Sequence, residues 1–192
     1  MEILELPMTR KMAAPPLYRA MTGIEALVMR EADILSGDTI LGTNYPDDIA
    51  YNVLISGRFV FAKEDSIDAK LKQLLLQREY KIINVQQGYA KCSASVFCNC
   101  MITADPSITD AASACGISVC SVRQGDVKLP GYDYGFIGGA SGFIDGTLFF
   151  FGDITKHSDF KKIKAFTDMH HTPIEWIPDY PLTDVGTIFG IE

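Results

Sequence analysis

A chain of 192 residues is long enough to bury a core as one domain or two small ones, and its 47% apolar and 21% charged residues are near the averages of soluble globular proteins. The net charge of −7 argues against a nucleic-acid binder, which would carry a basic face, and reads as a solubility feature rather than a recognition feature. The longest apolar runs, such as residues 148–151, are far too short to span a bilayer, so no membrane partner is expected.

The N-terminus, with Glu2 and Glu5, lacks the basic start and apolar stretch of a secretory signal. Residues 1–6 read as a strand with nothing before it, and residues 7–16 as a surface loop. Residues 24–29 and 39–41, with Ser36-Gly37 near the bend, read as a hairpin that has lost its helix. From there a single order repeats. Residues 52–62 are two apolar strands around a turn at Ser56-Gly57. A helix follows, with Ser66 as its cap and Ile67, Leu71, Leu74 and Leu75 on one stripe, and residues 81–85 form a closing strand. The second copy has strands at 95–97 and 100–104 around Cys98-Asn99. Its helix is capped by Ser107, with Asp110 three residues on, and stopped by Gly116 before a closing strand at 117–122. The third has strands at 142–144 and 147–151 around Asp145-Gly146, a helix capped by Ser158 with Phe160, Ile163 and Phe166 inward, and a closing strand at 173–177. Residues 184–189 read as a first strand with nothing after it.

Paired with residues 1–6, that last strand would complete one more unit, close the array and remove its exposed sheet edges. The expected fold is therefore α/β: a pseudo-symmetric α/β-propeller of about five ββαβ units, some degenerate, closed by the terminal strands. Residues 1–192 would form one domain, with complete units at about 49–88, 89–131 and 132–178.

Five cysteines are an odd number without a disulfide framework. Cys98-Asn99-Cys100 is one residue short of a CxxC pair, and no histidines or cysteines complete a zinc set, so neither metal nor other cofactor is expected. Cys98, Cys100, Cys115 and Cys120 read as small apolar residues in a reducing cytoplasm.

Three stretches carry a family resemblance: Gln87-Gly88-Tyr89-Ala90-Lys91-Cys92-Ser93, the Gly-rich run from Leu129-Pro130-Gly131-Tyr132 to Gly138-Gly139-Ala140-Ser141-Gly142, and Pro181-Leu182-Thr183-Asp184-Val185-Gly186. From about Tyr45 to the C-terminus the chain resembles an uncharacterised family of unknown function placed in the pentein fold, the α/β-propeller of guanidine-modifying enzymes. The resemblance implies a central cleft where the first strands of the units converge. Aligning the turns at Gly37, Gly57, Asn99 and Gly146 brings Glu31, Asn52, Cys92, Ser141 and Asp184 to equivalent strand starts. Penteins that act on guanidines use a cysteine nucleophile, a histidine acid/base and carboxylates, which accept paired N–H bonds from a planar cation. Here the position of the nucleophile holds Val185, Gly186 and Thr187. His157 precedes a helix cap, and His170 and His171 follow a helix, so the catalytic pair does not carry over.

The candidates left are Cys92 as nucleophile and Asn52, Ser93, Asp133, Ser141 and Asp184 as ligand-binding residues. With no histidine partner in view, Cys92 reads more readily as a small buried residue than as a nucleophile. Lys91 would favour its thiolate, but strand neighbours point to opposite faces. The run 135–142 could admit a ligand to the backbone or hold tight turns, and it is not a phosphate loop. Asp133 could bind a cation or cap a turn, and Asp184 could grip a ligand or organise a turn after Thr183. Two functions are expected from this: a catalytically silent protein binding a small polar ligand at the cleft, or a Cys92-dependent hydrolase or amidinotransferase acting on a guanidino or amidine compound.

Overall fold

Tight turns set the strands in the computed structural model, which describes residues 2–3, 37–188 and 190–191. The first strand, β1, is Glu2–Ile3. Then β2 (Leu54–Ser56) and β3 (Phe59–Ala62) form a hairpin whose register, Ser56↔Phe59, leaves only Gly57 and Arg58 in the loop. Gly57 has φ +57°, the left-handed conformation that two-residue hairpins need. Helix α1 (Ala69–Gln77) carries the chain over to β4 (Lys81–Asn84), which pairs parallel with β3. A short helical turn, α2 (Ala90–Ser93), leads into β5 (Ala94–Phe97) and β6 (Cys100–Thr103), with the Cys98 turn at φ +49°. Helix α3 (Pro106–Ala114) returns the chain to β7 (Ser118–Ser121), parallel to β6. In the last hairpin, β8 (Ser141–Ile144) and β9 (Thr147–Phe150) flank Asp145 and Gly146, both at positive φ. Helix α4 (Phe160–Met169) then precedes β10 (Ile174–Trp176), parallel to β9. The final strand, β11, is Gly190–Ile191.

Two hairpins turn where expected, at Cys98-Asn99 and Asp145-Gly146, and the first turns one residue later than Ser56-Gly57, at Gly57-Arg58. The helix caps differ. Asp68, Asp105 and Asp159 are the N-cap residues in place of Ser66, Ser107 and Ser158. Ser66 is taken into a 3-10 turn, and Asp68 caps Leu71 N at 2.9 Å instead. The same Asp68 carboxylate accepts from Thr39 N, Thr39 Oγ1 and Asp38 N. Burial alone would raise its pKa, but these hydrogen bonds hold it down at about 2. They also explain why residues 39–41 form no strand: Thr39 is tied to Asp68 and to Tyr51.

A closed α/β-propeller does not form among the described residues. The described residues are α/β, with three mixed sheets of three strands, ordered β2-β3-β4, β5-β6-β7 and β10-β9-β8, and four helices. The termini do pair, Glu2↔Ile191 and Ile3↔Gly190, but as a separate two-stranded ribbon that joins none of the three sheets. Residues 184–188 cannot act as the expected first strand. Gly186 sits at φ +96°, and its N–H is taken by the Asp184 side chain at 2.9 Å, so the chain turns where a ladder would have to run. Residues 24–36, with Glu31, and the loop at 7–16 lie outside the described residues.

The middle sheet serves two cores. Along β6 every residue is buried, and the pleat sends alternate side chains to opposite faces. Met101 joins Leu54, Phe61 and Ile108 on the side of the first sheet. Cys100 and Ile102 join Phe97, Leu148, Phe150 and Ile163 on the side of the third. This sharing fixes the three sheets against one another, and the segments between them meet around α2.

Candidate functional site

Helix α2 is one turn long, too short to hold itself together by its own hydrogen bonds. Asn52 holds it from the side. Its Oδ1 accepts Lys91 N at 2.7 Å, and its Nδ2 lies 3.5 Å from Cys92 Sγ. The thiol in turn donates to Gly186 O at 3.7 Å. Asp184 completes the arrangement from the C-terminal segment: Oδ2 accepts Phe136 N at 2.8 Å and Oδ1 accepts Gly186 N. Three of the residues singled out in the sequence, Asn52, Cys92 and Asp184, therefore meet in one buried network, although Cys92 lies on a helical turn and Asp184 in a loop rather than at strand starts. Ser141 lies outside it, its hydroxyl donating to Ser95 Oγ at 2.8 Å between β8 and β5. Asp133 is exposed on a loop between Tyr132 and Tyr134.

The electrostatics follow from burial. Cys92 is fully buried, and its pKa rises to about 12: burial contributes most, the Asp184 charge adds to it, and Lys91 and Asn52 pull the other way. At neutral pH it is a thiol. Burial raises Asp184 to about 6 against the opposing pull of the two backbone N–H groups and Lys91. The Lys91 ammonium is pushed down by burial, with Cys92 and Asp184 opposing.

The glycine run 135–142 is explained by close approach of backbone. None of Gly135, Gly138, Gly139 and Gly142 has positive φ. A Cβ on Gly138 would run into the Ala94 and Cys92 carbonyls, and one on Gly139 into the Asp184 carboxylate. Gly139 N donates to Cys92 O at 2.8 Å, and Val185 N to Gly139 O at 3.0 Å, so the run is clamped between α2 and the Asp184 turn.

On the other side of that clamp lies a cleft of about 20 Å³, bounded by Ser93, Asp105, Arg123, Gly125, Phe136 and His157 among others. Such a volume admits a group the size of a water. Ser93 is 3% exposed, and its hydroxyl has no hydrogen-bond partner among the described residues. Arg123, Asp105 and His157 are engaged. Arg123 forks onto Asp159, with Nη2 at 3.1 Å from Oδ1, and Asp105 accepts from Gln87, Ser107 and Ile108. His157 Nδ1 accepts Asp159 N at 3.0 Å. Burial lowers its pKa, the carboxylates of Asp126 and Asp159 opposing. Arg123 carries no signal in the sequence, and His157 reads there only as the residue before a helix cap, because neither lies on a repeat position.

Among the described residues no three His, Cys, Asp or Glu side chains are placed to hold a metal ion, and no helix is long and apolar enough to cross a membrane. A sequence model of a family of unknown function (DUF6873) matches residues 9–189. No curated protein and no solved structure matches the chain.

Proposed function

We propose, for a chain that belongs to the DUF6873 family of unknown function, that it binds a small polar ligand without covalent chemistry, one water-sized polar group of that ligand seating in the Ser93 cleft. The reading rests on the contrast between two neighbours on α2. Cys92 is turned into the protein as a fully buried thiol, whereas Ser93 borders the cleft and has a buried hydroxyl that no described residue satisfies. A buried hydroxyl without a partner is destabilising, and a ligand atom in the cleft would supply the missing hydrogen bond. The covalent alternative, a hydrolase or amidinotransferase acting through Cys92, has one contact in its favour, the Asn52 amide beside the sulfur. Among the described residues the thiol is hydrogen-bonded to Asn52 and Gly186 O and to no base, and the pKa near 12 opposes it. Five unbridged cysteines suit a reducing compartment such as the cytoplasm.

A screen of small polar fragments by amide NMR tests this reading. Hits should shift the amides of Ser93, Arg123, Phe136 and Ile137 together, and no Cys92 adduct should appear by mass spectrometry. Ser93→Ala should leave folding stability unchanged or raise it by up to about 1 kcal/mol, because the orphan hydroxyl is gone, while weakening the hits about fivefold or more. Hits that map elsewhere, or that bind Ser93→Ala equally well, contradict the proposal.

A further inference from the structure

Asp48 is 4% exposed, and its two carboxylate oxygens differ. Oδ2 accepts the Tyr89 hydroxyl at 2.7 Å. Oδ1 is buried and has no hydrogen-bond partner among the described residues. An unpaired carboxylate oxygen is more costly to bury than an unpaired hydroxyl, so its persistence in a folded chain points to a partner from outside.

The surroundings say what kind of partner. They are aromatic. The Tyr89 ring lies 5.9 Å from Tyr45 and 6.2 Å from Phe136. Tyr45 and Tyr132 are each about half exposed. The Tyr89 hydroxyl is raised by burial first, then by its bond to Asp48 and that group's charge, and further by the phenols of Tyr132 and Tyr45, so all three tyrosines act on one locality. Glycine at position 88 makes room for this: a Cβ there would lie 2.5 Å from the Tyr45 ring and 2.7 Å from Ile49 Cδ1. The Tyr45 ring already carries one cation, since Lys63 Nζ lies 4.9 Å from its centroid and donates to its hydroxyl at 2.9 Å.

We propose that Asp48, Tyr45 and Tyr89, flanked by Phe136, form a binding site for a small organic ammonium ion. The carboxylate supplies the opposite charge and an unsatisfied acceptor, and the aromatic faces attract the polarised methyl or N–H surface of the cation. A divalent metal would demand several oxygen ligands, and no such acidic group converges among the described residues. The site is separate from the Ser93 cleft, with Phe136 packed against both. Lys63 is the internal competitor for the Tyr45 face.

Titration of the full chain with tetramethylammonium chloride, followed by amide NMR, tests the assignment, with tert-butanol as the neutral shape control and potassium chloride as the ionic control. Saturable shifts at Asp48, Gly88 and Tyr89 are expected with tetramethylammonium alone. Asp48→Asn keeps the bulk and an acceptor for Tyr89, and should weaken binding about tenfold or more. Tyr45→Leu, which keeps an apolar side chain and removes the ring, should weaken it about threefold, and Lys63→Met should strengthen it about twofold. Ser93→Ala should leave it unchanged. Equal shifts with tert-butanol or potassium, or an affinity that Asp48→Asn and Tyr45→Leu both leave intact, overturn the proposal.

Discussion

Gly138→Ala is expected to cost about 3 kcal/mol of folding stability, at the upper end of what one inserted methyl does. The atoms a Cβ would meet are the Ala94 and Cys92 carbonyls, which are backbone and cannot swing aside as a flexible side chain would. Relief would require pulling the 135–142 run off α2, which breaks the hydrogen bond from Gly139 N to Cys92 O. Gly116→Ala is the proper comparison. Gly116 has φ +77° and open space where its Cβ would go, so the cost there is backbone strain alone, about 1 kcal/mol. Urea unfolding of the two variants beside the wild type decides the matter. Equal losses would show that the clamp around Gly138 is looser than its geometry implies.

The second large effect is a pH dependence centred on Asp184. Its carboxyl is raised from the usual 3.8 to about 6, chiefly by burial. A carboxyl that holds its proton more tightly when folded contributes stability that is complete below about pH 4 and is lost as the pH rises through 6. Between pH 7 and pH 5 the wild type should therefore gain about 1 kcal/mol from this group. His157 acts in the opposite sense. Its lowered pKa makes the neutral form the folded one, so its contribution is present above pH 6.5 and is lost on acidification. Both proteins keep His157, so the difference between wild type and Asp184→Asn isolates the carboxyl. That variant should lose the gain at pH 5. At pH 7 it should also be about 2 kcal/mol less stable, because an amide can offer only one acceptor to the N–H groups of Phe136 and Gly186. Parallel stability-versus-pH curves for the two proteins would rule out this assignment.

How far these features can be read from the sequence differs from residue to residue. Gly57, Cys98-Asn99 and Asp145-Gly146 are local signals, since a two-residue hairpin needs left-handed backbone at its tip, and the strands follow from alternation on either side. The caps depend on competition between nearby side chains. Ser66 and Asp68 are both good caps, and the contacts from Thr39 and Asp38 to Asp68 decide between them. Closure of the array was a global inference from repeat order. It fails because one side chain, Asp184, takes the backbone N–H that a strand would have used. The alignment of turns singled out five residues, of which Asn52, Cys92 and Asp184 lie in one hydrogen-bonded network, Ser141 lies outside it, and Glu31 lies outside the described residues. It could not show that the thiol faces inward, because the helical turn at 90–93 replaces the expected strand and with it the alternation of faces. Asp48 and Tyr45, on a turn ahead of the first sheet, carry no repeat signal at all.

Native-state alkylation decides between a buried thiol and a nucleophile at Cys92. Cys92 is fully buried on the helical turn that also carries Ser93. Cys98, exposed at the tip of its hairpin, is the internal reference. In iodoacetamide at pH 7.5, followed peptide by peptide, Cys98 should be modified at the rate of a free thiol. Cys92 should stay unmodified over the same time, more than about a hundredfold slower, and should react only when urea unfolds the chain. Modification of Cys92 in the folded protein as fast as Cys98, or faster, would contradict the account and return the cysteine to the role of nucleophile.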